Sequence, residues 1–183
     1  MPRLFCASKT IVEEGTLASY DTNSVNMGNS HTSAAMTALL VLQAFHVLFL
    51  ALHDWVPLGR FSNVKAVREA NPGGKVLLAS VISTTPYAFA LAASLYFWDK
   101  RFPVWLTIYL WVSYTFLFVG ELEAWWFPYF FGFKPERAAR YQAMFGGTYS
   151  FLPERYGIIP NTLHVILHVS TVALLAVLAV LTL

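Results

Sequence analysis

Four long apolar runs, separated by polar stretches, organise this chain. They cover about residues 33–53, 76–98, 103–126 and 162–183. Each approaches or exceeds the roughly 20 mainly apolar residues that a helix needs to cross a bilayer. Segments such as ALLVLQAF (38–45) and VALLAVLAVL (172–181) are apolar on every face, without the alternation of a barrel strand. A segment in lipid must satisfy its own backbone hydrogen bonds, so helices are the expected form. The pattern predicts an all-α integral membrane protein, a four-transmembrane-helix bundle over 33–183 whose partner is the lipid bilayer.

The connections carry patterns of their own. Ser62 is placed to cap a short helix through Ala70, closed by Asn71-Pro72-Gly73-Gly74, with Val64, Val67 and Ala70 facing the membrane. Pro135 suits the first position of a helix over 135–145 whose apolar side is Ala138, Tyr141, Met144 and Phe145. Basic amphipathic segments of this kind lie in the membrane interface, and a lid over a site is the sharper expectation. Asp54-Trp55-Val56-Pro57 and Glu123-Ala124-Trp125-Trp126-Phe127-Pro128 echo each other, each an acid followed by Trp and Pro. The echo reads either as a degenerate two-hairpin repeat or as the habit of placing Trp at the interface and Pro after a helix. Residues 1–32 are polar and lack the plan of a secretory signal. They read as a disordered tail, or as an overlong reading frame with its start at Met27 or Met36.

Composition agrees with the pattern. Hydrophobic residues make up 57% of the 183 and charged ones 12%, against about 45–50% and roughly 25% in soluble domains. A net charge of +2 is too small and scattered to suggest nucleic acid. Cys6 is the single cysteine, so no disulfide forms within the chain. Of 12 Lys and Arg residues, eight lie in or beside the two long connections: Arg60, Lys65, Arg68, Lys75, Lys134, Arg137, Arg140 and Arg155. The excess of positive charge places those loops on the cytoplasmic side and both termini outside, with Lys100 and Arg101 pulling the other way.

Ionisable residues inside a membrane are expensive and point to function. Here they gather at one end of the runs: His46, His53 and Asp54 late in the first, Glu121 and Glu123 late in the third, and Asn161, His164 and His168 early in the fourth. The second begins near that end and offers Ser80, Ser83, Thr84 and Thr85. His164 and His168 share a stripe at i, i+4, which Asn161 and Thr171 extend. Glu121 and Glu123 stand about 200° apart around a helix, so one points inward; Glu121 is the deeper, while Glu123 suits a loop arginine. The expected catalytic set is Glu121, His164, His168 and His46, with Asn161, Asp54, Ser83 and Glu123 lining a substrate site.

Three chemistries fit this set. His164 and His168 can begin a metal site, completed by His46 or His53 and a carboxylate, although the HExxH glutamate is missing; a haem between His46 and a histidine of the last helix is a variant. Acid–base catalysis on a lipophilic molecule is the second. Proton relay or transport is the third. A small membrane enzyme leads, with a non-enzymatic transporter or an accessory subunit of a membrane complex as the competing class. The tryptophans read as interfacial anchors, and Gly73-Gly74 and Gly146-Gly147 as turns. His46 before Asp54 resembles the first helix of the four-helix sterol-isomerase group. Where that group has an acid in its second helix this chain has Ser80, Ser83 and Thr84, so the resemblance covers one helix and implies no site residue.

Overall fold

The computed structural model describes residues 33–183. The expectations for the tail, with Cys6 and the start at Met27, lie outside the described residues. Among these the fold is helical throughout, with one isolated bridge between Arg155 and Ile158 and no strand. Four helices are long and apolar enough to cross a membrane: Ser33–Leu52 (α1), Lys75–Tyr96 (α3), the rod Val104–Phe131, and Thr162–Thr182 (α7). Between α1 and α3 lies the short helix Val64–Ala70 (α2), and between the rod and α7 lies Pro135–Phe145 (α6).

The expected runs become helices to within two residues at every end but one. The third continues to Phe131 rather than stopping near Trp126, and the reason lies at Pro128. The rod is α-helical over Val104–Glu121 (α4), a π turn over Leu122–Trp126, and α-helical again over Phe127–Phe131 (α5). A proline has no N–H to give the carbonyl four residues back. In the π turn the Phe127 N–H reaches Leu122 O, five residues back. The Ala124 carbonyl, which Pro128 cannot serve, accepts the Tyr141 hydroxyl of α6 at 2.7 Å. Pro128 therefore sits in the first turn of α5 instead of ending the helix, whereas Pro57 follows a chain that has already left α1. The Trp–Pro echo does not carry over into equivalent structures.

The core runs along the bundle axis through Leu39, Leu106, Leu110, Tyr114, Leu174 and Leu178, each 0% exposed. α4 packs along α7 and α3 along α4. Polar side chains tie the helices as well: Gln43 Nε2 donates to Ser94 Oγ between α1 and α3 (3.1 Å), and Trp111 Nε1 to Thr182 Oγ1 between α4 and α7 (3.1 Å). The outer faces are as apolar as the core: Phe116 is 79% exposed and Val180 77%.

The two connecting helices pack on each other at one end of the bundle. Val67 of α2 and Met144 of α6 are buried with Val76, flanked by Trp55, Ala70 and Phe145. The apolar face of α2 is thus spent on α6 and its surroundings, not laid separately on a membrane surface as its pattern suggested. Arg140 donates to Asn71 Oδ1 at 2.7 Å, joining the same two elements. The cap of α2 is Asn63, whose Oδ1 accepts the Ala66 N–H. Ser62, the expected cap, instead accepts the Leu58 N–H at 2.8 Å.

Candidate functional site

The single pocket expected from the sequence divides into three places. The first is a cleft of about 530 Å³ where the two connecting helices meet the bundle, lined by His53, Asp54, Asn71, Trp125, Arg137, Arg140, Tyr141, Met144 and His164 among others. His53 and Asp54 arrive just past the end of α1. His53 Nδ1 donates to the Phe49 carbonyl at 2.9 Å, and Nε2 lies 3.3 Å from Asp54 Oδ1. His164 comes from the first turn of α7. Asn161, the cap of that helix, accepts the His164 backbone N–H (3.0 Å) and its Nδ1 (2.6 Å) on one oxygen, Oδ1. The amide oxygen can only accept, so the His164 Nδ1 carries a proton. No hydrogen bond from a described residue reaches its Nε2.

Aromatic rings hold His164 in place. Trp125 lies 4.3 Å away between centroids, Phe145 5.3 Å and His53 5.8 Å. Two cations face the same cleft. Arg137 stacks on Phe133 at 3.9 Å, and Arg140 bonds the neutral Asn71. Among the described residues neither arginine has a carboxylate within ion-pair distance.

The second place lies inside the bundle. Glu121 of α4, Thr171 of α7 and His46 of α1 form a chain of hydrogen bonds. Thr171 Oγ1 is 2.7 Å from Glu121 Oε1 and 3.0 Å from His46 Nε2. His46 Nδ1 donates to the Leu42 carbonyl at 2.6 Å. His46 and Thr171 are 0% exposed and Glu121 5%. The Tyr114 ring packs edge-on against His46 at 5.5 Å.

The third holds His168 alone. Trp126 Nε1 donates to its Nδ1 at 3.0 Å, and the ring borders a shallow apolar groove of about 540 Å³ on the outside of the bundle, with Phe118, Leu122, Phe130 and Val169. His164 and His168 share a stripe, yet their rings are 6.4 Å apart between centroids and their Nδ1 atoms have different partners. Among the described residues no three His, Cys, Asp or Glu side chains come together as metal ligands do. Both His46 nitrogens are engaged inside the bundle, which leaves neither for a haem iron. The proposed metal and haem geometries therefore find no support in the donor atoms.

The remaining expected site residues separate as well. Glu123 is exposed and makes no ion pair with a loop arginine among the described residues. Ser83 turns back on its own helix and donates to the Ser80 carbonyl at 3.2 Å. Asp54 lies in the cleft and His46 in the core, so the pair that prompted the sterol-isomerase comparison does not share a site. A larger cavity, about 950 Å³, opens at the opposite end beside Ser33 and Trp98 to Phe102, and contains no histidine.

Trp125, Tyr141, Arg137 and Arg140 in the cleft, and Tyr114 and Gln43 in the core, were not singled out from the sequence. Signals for several existed. Tyr114 precedes Glu121 by seven residues and Gln43 precedes His46 by three, so each pair shares a helix face. Trp125, which by its place at a helix end suits an interfacial anchor, is buried within the π turn, a feature without a simple sequence signature. No protein-family model, curated protein or solved structure matches this chain.

Proposed function

We propose that this chain is an integral membrane protein of four spans, and a small membrane enzyme that acts on a lipophilic molecule held in the cleft. Four helices of spanning length whose outward faces are apolar support insertion, since a water-facing bundle would carry charge on those faces. The excess of Lys and Arg in the two long connections supports an orientation with the cleft toward the cytoplasm.

The observation that carries the enzymatic reading is His164: an imidazole held through Nδ1, its Nε2 without a hydrogen bond from a described residue, beside a His53–Asp54 pair, in one cleft. In this reading His164 Nε2 takes a proton from the substrate and His53 returns one, with Asp54 holding the His53 ring. Trp125, Met144 and Phe145 accommodate an apolar body, and Arg137 and Arg140 attract a polar or anionic end. Glu121 and His168 lie outside this chemistry.

The test is an untargeted lipid and small-molecule comparison of membranes from cells expressing the wild type or His164→Phe. The substitution keeps the aromatic packing and removes both ring nitrogens. A species depleted or formed by the wild type alone is expected, and its conversion by purified wild-type protein in detergent would establish turnover. Identical profiles from two equally abundant, folded proteins would remove the enzymatic reading and leave a non-enzymatic membrane protein.

A further inference from the structure

We propose that His46, Thr171 and Glu121 form a proton-transfer relay in the bundle core, with the Thr171 hydroxyl as bridge. The relay shares no residue with the cleft and does not depend on the function proposed there.

The hydrogen bonds set its proton inventory. The Leu42 carbonyl can only accept, so His46 Nδ1 carries a proton in either charge state. Its Nε2 and Glu121 Oε1 both face Thr171 Oγ1, at 3.0 and 2.7 Å. A hydroxyl donates one proton and accepts others, so two arrangements satisfy the same atoms. In one, an imidazolium donates from Nε2 to Thr171, whose hydroxyl donates to the Glu121 carboxylate. In the other, a protonated Glu121 donates to Thr171, whose hydroxyl donates to the bare Nε2.

The step between them balances. The His46 N–H bond breaks as a new O–H bond forms on Thr171. The original Thr171 O–H bond breaks as one forms on Glu121. The charged pair becomes a neutral pair, and the total proton count is unchanged. The Leu167 carbonyl, 3.1 Å from Thr171 Oγ1, competes for the hydroxyl proton but cannot pass one on.

Two observations set this chain apart from helix-to-helix glue. Gln43 and Ser94 already join α1 to α3 with groups that do not ionise, whereas a buried carboxyl adds a desolvation cost that packing does not require. In addition, Glu121 Oε2 is buried and has no donor among the described residues. An oxygen in that position has capacity to carry or accept a proton, which a purely structural hydrogen-bonding group would not leave unused. The neighbouring Gln43 Oε1 and Tyr114 hydroxyl are also buried without partners among those residues.

The titratable groups around the chain are Tyr87 of α3, Tyr114 of α4 and His168 of α7, the last turned toward Trp126. No Lys, Arg or Asp is buried among the described residues.

The test follows the protein in bilayers by infrared spectroscopy and by ¹⁵N histidine resonances across a pH titration. A carboxylic-acid C=O band that Glu121→Gln deletes is expected to change in step with the His46 resonances. Thr171→Val leaves both groups in place and is expected to uncouple them, and Thr171→Ser to restore the coupling. Should Glu121→Gln fail to fold, ¹³C-labelled glutamate in the wild type assigns the band. Absence of a protonated buried glutamate at every pH, or a Thr171→Val protein in which both signals still move together, would overturn the relay.

Discussion

The bundle core and the cleft use histidine in opposite ways. In the core, His46 has both nitrogens engaged, Nδ1 by the Leu42 carbonyl and Nε2 by the buried Thr171 hydroxyl. In the cleft, His164 has one nitrogen engaged and one without a hydrogen bond from a described residue. The first arrangement suits proton exchange within the protein, the second proton exchange with a bound molecule. His46 is fully buried and His164 partly so, and in the core a neighbouring element also takes up the second nitrogen. That element is α7, through Thr171, three turns from the helix cap that holds His164.

Four substitutions test how far the two regions differ in their tolerance of change. The largest effect belongs to Tyr114→Ala, which empties a fully buried aromatic site against His46 and Tyr87. A loss of about 3–5 kcal/mol in detergent unfolding is expected. Next is Thr171→Val, which leaves His46 Nε2 and Glu121 Oε1 facing a methyl group and should cost about 1–3 kcal/mol. A value near zero there would mean the core reorganises as easily as a surface.

Tyr141→Phe deletes the hydroxyl that serves the Ala124 carbonyl. It is expected to cost about 0.5–1.5 kcal/mol, with faster hydrogen exchange confined to α6 and the π turn. The smallest effect belongs to Arg140→Ala on the exposed rim of the cleft. Stability should change by no more than about 0.5 kcal/mol, while retention of anionic amphiphiles by the purified protein should fall. Equal retention would remove Arg140 from the proposed binding role.

The two connecting helices show how neighbours redirect a local pattern. The apolar positions Val67 and Met144 were legible, and so were the helices that carry them. Their burial against each other was not, because an amphipathic face seeks any apolar surface and the pattern does not say which. The same limit applies to Trp125 and Trp126. Adjacent residues point about 100° apart on a helix, and the π turn shifts the register further. One ring therefore packs on His164 and the other bonds His168.

By itself, the sequence determined the number of long apolar helices, their approximate ends, the two short helices between them and the inward choice of Glu121 over Glu123. These follow from hydropathy and from the 3.6-residue turn, properties that each segment holds alone. Only the tertiary structure decided that the polar residues divide among a core chain, a cleft and an outer groove. That division depends on the rotation and depth of each helix relative to its neighbours. Those are set by the packing of Leu, Tyr and Trp side chains from different segments, and no single segment contains them.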